Sequence, residues 1–174
     1  MKYKKEILRK TAVLCWGFVL AALIGWLYEE AADYIMMHEF TDRGILWLPV
    51  CPIYGFGAWG MYLAVRKIKN PLLIVSACAV ISGVFEYVCS YILEKFFDLE
   101  LWTYECWPLP INDRISIVVC VLFGLFELLF VKAIIPGVKK AGEKVSLSVF
   151  AGGAFCIVAA LVVDAVISIG KLLG

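Results

Sequence analysis

The residues best placed to do chemistry are acids lying where the chain should be in or next to lipid. Glu86 and Glu127 fall inside long apolar runs, Glu29, Glu94 and Asp164 fall nearer the ends of such runs, and Arg43 and Arg114 flank them. A carboxylate at the centre of a membrane helix costs roughly 2.5 to 3.5 kcal/mol on insertion scales, so each should face a partner, water or the bundle interior. Acids kept there commonly mark ion pathways or proton relays. Arginine beside them offers bidentate geometry, suited to pairs such as Arg114 with Glu29 or Arg43 with Glu86. Arginines left partly free would instead receive an anionic headgroup or a substrate carboxylate.

Helical spacing groups these acids with small and polar residues. At about 100° per residue, Cys15, Ala22, Gly25 and Glu29 share one arc of a first helix. Ser82, Glu86, Ser90 and Glu94 follow at successive i+4 steps, Ser116, Cys120, Gly124 and Glu127 form a third stripe, and Gly153, Ala160, Asp164 and Ser168 a fourth. Small residues let helices approach closely and Ser can bond across the contact, which explains these stripes as packing faces. Packing does not explain the acids, because apolar contacts would cost less.

The elements that must position them are membrane helices. With 63% apolar residues, 18% charged and a mean hydropathy of +0.91, the 174-residue chain is too apolar for a soluble domain. Runs long enough to cross the hydrocarbon, about 20 residues each, occupy residues 11–28, 46–65, 71–93, 115–135 and 145–169. An all-α, polytopic bundle of about five transmembrane helices follows. The first run is long, holds Trp16 and Trp26, has no small-x-small cleavage site and ends in Glu29-Glu30, so it reads as an uncleaved span. In the second run Pro49 and Pro52 set the helix to begin near Pro52. Residues 46–51 would then be an extended or re-entrant lead-in, tolerated only where protein buries it.

Charge sets the orientation. Lys2, Lys4, Lys5, Arg9, Lys10, Arg66, Lys67, Lys69, Lys132, Lys139, Lys140 and Lys144 lie on one side, and Arg43, Lys95, Arg114 and Lys171 on the other. Twelve against four puts the N-terminus inside and the C-terminus outside. The outer connections, 29–45 and 94–114, carry ten carboxylates. Trp47, Trp102, Tyr104 and Trp107 fall where an outer aromatic belt belongs. No linker divides the chain, so residues 1–174 read as a single membrane domain. Gly83-Val-Phe-Glu86 and Gly124-Leu-Phe-Glu127, on helices of opposite direction, hint at an inverted repeat.

Several chemistries are set aside. No basic strip joins aromatics, so nucleic acid is not expected as a partner. Gly55-Phe-Gly57-Ala-Trp-Gly60 has the letters of a dinucleotide fingerprint without the preceding strand. Gly137-Val-Lys-Lys-Ala-Gly142-Glu-Lys144 puts Glu143 where a phosphate loop needs Lys. Seven cysteines with no Cys-x-x-Cys pair, and a lone His38 on an outer loop, give no metal or cofactor site. A disulfide between Cys51 and Cys106, both on the outer side, is left open.

With the segments placed, the order of features resembles the family called Putative ABC-transporter type IV, or CmpB-like. The carrying residues are Gly25-Trp26-Leu-Tyr-Glu29, Arg43-Gly44-Ile-Leu, Cys51-Pro52-Ile53-Tyr54-Gly55-Phe-Gly57, Glu86-Tyr87 with Ser90, Leu93-Glu94-Lys95, Trp102-x-Tyr104 and Arg114-Ile115. They cover about residues 17–130 and leave the fifth span out. The family pattern has Trp-Asp-Tyr-Ser where this chain has Trp102-Thr103-Tyr104-Glu105, and Asn-Gly where it has Asn112-Asp113. The resemblance implies a bacterial plasma-membrane protein.

The leading reading is a permease-like transport component for a small molecule or ion. Its candidate binding residues are Glu29, Arg43, Cys51, Tyr54, Glu86, Ser90, Glu94, Tyr104, Arg114 and Glu127, with no catalytic residue assigned. In it Glu29, Glu86, Glu94 and Glu127 line a polar path, with Arg43 and Arg114 at the outer mouth. The alternative is a membrane-embedded enzyme acting on a lipid or envelope precursor at the outer leaflet, with Glu as general base and Arg holding an anion. Glu127, about twelve residues into its span, discriminates: a path needs polar groups at both depths, whereas an enzyme needs a pocket open only outward. The partners are the bilayer and a second copy or other transporter subunits. The short inner connections 66–70 and 136–144 offer an ATPase little to grip.

Overall fold

The computed structural model describes residues 2–38 and 46–173. Arg43 lies outside the described residues. The helices are α1 (Lys2–Met37), α2 (Pro52–Val65), α3 (Pro71–Phe97), α4 (Ile117–Leu129), α5 (Ile135–Lys144) and α6 (Leu147–Leu173), with two-residue strands β1 (Pro110–Ile111) and β2 (Ile115–Ser116). The architecture is all-α, as expected. Four described stretches are long and apolar enough to cross a membrane: Lys2–Ile35, Pro71–Phe97, Ile117–Lys144 and Leu147–Lys171. α2 has 14 residues, about 21 Å of helix, and begins at Pro52 as its prolines require. The chain divides into two compact units, one of Met1–Trp59 with Ala133–Gly174, the other of Gly60–Lys132.

In the first unit α1 runs well past the expected end of its span, through Glu29 and Glu30 to Met37. Nothing between Trp26 and Met37 is Gly or Pro, and Glu, Ala, Leu and Met are good helix formers. Glu29, Glu30 and Asp33 therefore stand on helix, not on the outer loop expected from 29 to 45. α5 corrects the reading of 136–144 as a connection. It buries Ile135, Val138 and Gly142 and exposes Lys139, Lys140, Glu143 and Lys144. Val138 joins Ala12, Val13, Phe150, Ala151 and Ala154 in one core cluster. Val19, Ala22, Val50 and Leu161 form another. Arg9 Nη1 donates to the Gly142 carbonyl at 2.7 Å and Trp16 Nε1 to the Phe150 carbonyl at 3.1 Å.

Residues 46–51 form the non-helical lead-in expected from the prolines, and the backbone N–H groups of Trp47, Leu48, Val50 and Cys51 are hydrogen-bonded. Asp164 of α6 takes the N–H of Trp47 at 3.2 Å and of Leu48 at 2.9 Å, while Cys51 N–H donates to the Ala22 carbonyl of α1 at 2.9 Å. Unpaired backbone groups are costly away from water, so Asp164 serves as an anchor for this segment. Ser168 Oγ steadies it with a further bond of 3.1 Å. Replacing Asp164 with Ala removes the acceptor of both N–H groups and is expected to lower stability. Thermal unfolding in detergent checks this, and Asp164→Asn, which keeps one acceptor oxygen, should lose about half as much.

In the second unit Asn70 caps α3, its Oδ1 accepting from Leu72 N–H at 2.9 Å, with Pro71 in the first turn. α3 ends at Asp98, which takes a left-handed conformation (φ 55°). β1 and β2 pair antiparallel through Asn112 and Asp113, both at positive φ (50° and 56°). With Ile111 paired to Ile115 the connection has three residues, Asn112 to Arg114, and Asn and Asp tolerate this backbone better than most residues. Ser116 then caps α4 and donates its hydroxyl to the Pro108 carbonyl at 2.7 Å.

α3 and α4 lie against each other through two glycines. A Cβ on Gly83 would touch Cys120 Sγ, and one on Gly124 would overlap the backbone carbonyl of Val75. The two Gly-x-x-Glu motifs thus mark the close contacts of one helix hairpin. Between α4 and α5 the residues Phe130–Ile134 form a π-helical turn. Pro136, lacking an N–H and crowding the carbonyl four residues back, is the physical reason for a widened turn at this place.

Candidate functional site

The predicted site residues fall into separate groups, one in the first unit and two in the second. In the first, Gly25 and Glu29 are one helical turn apart on α1. Any side chain on Gly25 would overlap the Tyr54 ring, so the glycine lets that ring lie flat on α1. Tyr54 Oη then reaches Glu29 and donates to it at 3.1 Å. The Cys51 thiol lies within hydrogen-bonding reach of the same carboxylate. The Gly-Trp-Leu-Tyr-Glu and Cys-Pro-Ile-Tyr-Gly motifs are therefore two halves of one arrangement, a carboxylate held by a phenol and a thiol.

In the second unit a group gathers at the C-terminal part of α3, the end read from sequence as outer. Glu86 Oε1 accepts from Tyr104 Oη at 3.0 Å, whereas its Oε2 is buried without a hydrogen-bond partner. Arg114 forms an ion pair with Glu94 and donates to Ser90 Oγ at 3.0 Å. Its guanidinium lies 5.9 Å from the Tyr87 ring centre and 5.7 Å from that of Tyr91, distances at which cation–π attraction operates. Of the pairings suggested from sequence, Arg43 with Glu86 involves a residue outside those described. Arg114 is bound to Glu94, four positions from its Ser90 contact on the same helix, and Glu29 and Glu86 accept from Tyr54 and Tyr104. All seven cysteines are free thiols.

Beside Arg114 is a cavity of about 220 Å³ lined by Ser90, Glu94, Glu100, Trp102, Asn112, Asp113 and Arg114. Three carboxylates against one guanidinium make its lining net negative. Glu100, Trp102, Asn112 and Asp113 were not among the candidates. Nor were Tyr87 and Tyr91, although their place one turn from Ser90 and Glu94 on α3 was a usable signal. Tyr104 N–H donates to the Asp113 carbonyl at 2.8 Å and Trp102 Nε1 to the Arg114 carbonyl at 3.2 Å, which fixes the loop over the cavity.

Glu127 stands alone. It is 2% exposed, and neither carboxyl oxygen has a hydrogen-bond partner. It lies eleven positions along from the Ser116 cap, about 16 Å of helix, and within electrostatic reach of the Cys78 thiol. Cys78 is eight residues before Glu86 on α3, two turns further from the outer group. Along the hairpin Glu127 therefore lies on the Cys78 side of Glu86, and neither of its carboxyl oxygens bonds to the Arg114 group.

Residues 16–169 match the sequence profile of the family described as Putative ABC-transporter type IV. The chain belongs to this family. The match extends beyond the 17–130 carried by the shared motifs and takes in the last helix, so Asp164 and its backbone anchor lie within the family region. No curated protein and no solved structure matches the chain. Membership and the four apolar helices make it a multi-pass membrane protein of a transporter-related family.

Proposed function

We propose that this protein is a permease-like transport component of the bacterial plasma membrane, moving a small molecule or ion by way of Glu127. The observation that carries the reading is Glu127 itself, buried and unpartnered deep in a helix hairpin. Such a carboxyl group destabilises the fold, and acids retained in membrane helices characteristically handle ions or protons. A pocket working only at the outer leaflet has no use for an acid at that depth, which favours transport over the enzyme reading. The cavity at Arg114 is the outer station. Its net negative lining raises the local concentration of cations, so a cationic solute suits it. Glu29, held by Tyr54 and Cys51, is a further polar station in the other unit.

Transport is tested with purified protein in vesicles and a panel of labelled small cations, amines and amino acids. At least one solute should move faster than in protein-free vesicles, and Glu86→Gln and Glu127→Gln should slow it. Unchanged flux in both variants contradicts the proposal.

The twelve-to-four distribution of Lys and Arg supports an inside N-terminus. An outside C-terminus follows if α2 together with residues 46–51 makes a crossing. The short helix adds about 21 Å, and six extended residues add up to about 20 Å, against a core of about 30 Å. A reporter enzyme active only after export, fused behind Gly174, should be active. An inactive fusion paired with an active cytoplasmic reporter at the same site contradicts the fifth crossing. A second copy or other transporter subunits would complete the assembly, and an ATPase would have to grip elsewhere than the short turn at 66–70.

A further inference from the structure

We infer that Glu127 binds a proton, not a metal cation, as the coupling ion of the transport proposed above; the inference rests on that reading. The argument is one of ligand supply. A hard cation such as Ca²⁺ needs six or more oxygen ligands and Mg²⁺ about six, whereas a proton needs one carboxyl oxygen and no further ligand. Around Glu127 the chain offers almost none. One turn before it, Gly124 presses on α3 at Val75. Leu128 and Val131, one and four residues on, pack on the buried cluster of Val65, Ile74 and Cys78. Phe130, 2% exposed, meets the Tyr62 ring edge-on.

Few titratable groups meet this stretch. Those with contacts there are Cys78 on α3, Tyr62 on α2, and Lys132 on the same helical run, whose ammonium group donates to the Lys69 carbonyl at 3.4 Å, whereas Cys120 on α4 and Glu86, Tyr87, Cys89, Tyr91, Glu94 and Lys95 on α3 lie two turns or more toward the Arg114 group. The Cys78 thiol is a soft ligand and serves hard cations poorly. Among the described residues no three His, Cys, Asp or Glu side chains are grouped as metal ligands would be. A lone carboxyl group in such surroundings supplies two oxygens, too few for a hard cation and enough for one proton.

Infrared difference spectroscopy of the reconstituted protein tests this. The carbonyl stretch of a protonated carboxyl group, shifted by deuteration, should be present at neutral pH in wild type. Glu127→Gln should remove it, Glu127→Asp should move it, and Glu86→Gln should leave it in place. Adding Na⁺, K⁺, Mg²⁺ or Ca²⁺ at neutral pH should not change it. A band that a metal cation abolishes, or the absence of any Glu127-dependent band from mildly acidic to mildly alkaline pH, overturns the assignment. Flux lost in Glu127→Gln together with a metal-sensitive band overturns the proton alone. A proton band with unchanged flux in that variant overturns the transport reading and the coupling with it.

Discussion

Glu127→Met is expected to yield a protein that is more stable and inactive. Met is close to Glu in volume and carries no group that needs a partner, so it fills the same space between α3 and α4 without the penalty of a buried, unbonded carboxyl group. Both carboxyl oxygens lack partners, and a buried unsatisfied polar group costs about 1–3 kcal/mol, more if charged. A gain of about that size in unfolding free energy is expected, measured by thermal or denaturant unfolding in detergent. Glu94→Gln is the contrast, because the Glu94 side chain is half exposed and its ion pair with Arg114 should be worth about 1 kcal/mol or less. A Glu127→Met variant that unfolds more readily than wild type would mean that the acid supports the fold, and the functional reading would lose its physical basis.

Gly124→Ala should be among the most disruptive small substitutions in the chain. Its methyl group would overlap the Val75 carbonyl oxygen, an atom fixed in the backbone of α3 that cannot swing aside. Relief requires the two helices to separate, and overpacking of this kind costs about 1–3 kcal/mol. Gly25→Ala is expected to act differently, because the obstacle is the Tyr54 ring. The ring would turn away, and the bond to Glu29 would be lost with less harm to the helices. Gly152→Ala, with open space around the added carbon, should be neutral or gain up to roughly 1 kcal/mol of helix propensity. The three variants compared by unfolding in one detergent test this ranking. Equal stability of Gly124→Ala and Gly152→Ala would remove the close contact on which the position of Glu127 depends.

Much of the helical order is legible from run length and proline placement, including the start of α2 at Pro52 and the irregular lead-in before it. What acts at a distance is not. The extension of α1 to Met37 is written in local propensity, yet the cluster of Glu29, Glu30 and Asp33 reads as a loop when acidity alone is weighed. The π turn follows from Pro136, but a single proline at the end of an apolar run signals a helix end equally well. Asp164 shows the limit most clearly. Its partners, Trp47 and Leu48, lie more than a hundred positions away, and helical spacing predicts only which face it shares, not what crosses that face.

The candidate site follows the same pattern. Residue types and i+4 spacing place Glu86, Ser90 and Glu94 on one face of α3, and the structure keeps them together. Which group each acid meets depends on the loop from Asp98 to Ser116 folding back over α3, and no periodicity encodes that. The Asn112-Asp113 departure from the family's Asn-Gly also becomes readable only in three dimensions. Both residues sit at positive φ, so Asp at this place keeps the hairpin that presents Arg114 to Ser90 and Glu94.

The most direct measurement is solute flux through vesicles carrying wild type, Glu127→Asp and Glu127→Gln at matched protein content. Wild type should transport, Glu127→Asp should retain a measurable part because it keeps an ionisable carboxyl group, and Glu127→Gln should fall by about a hundredfold, the lower range for loss of a proton-transferring group. Flux in Glu127→Gln equal to wild type would contradict a working role for the buried acid.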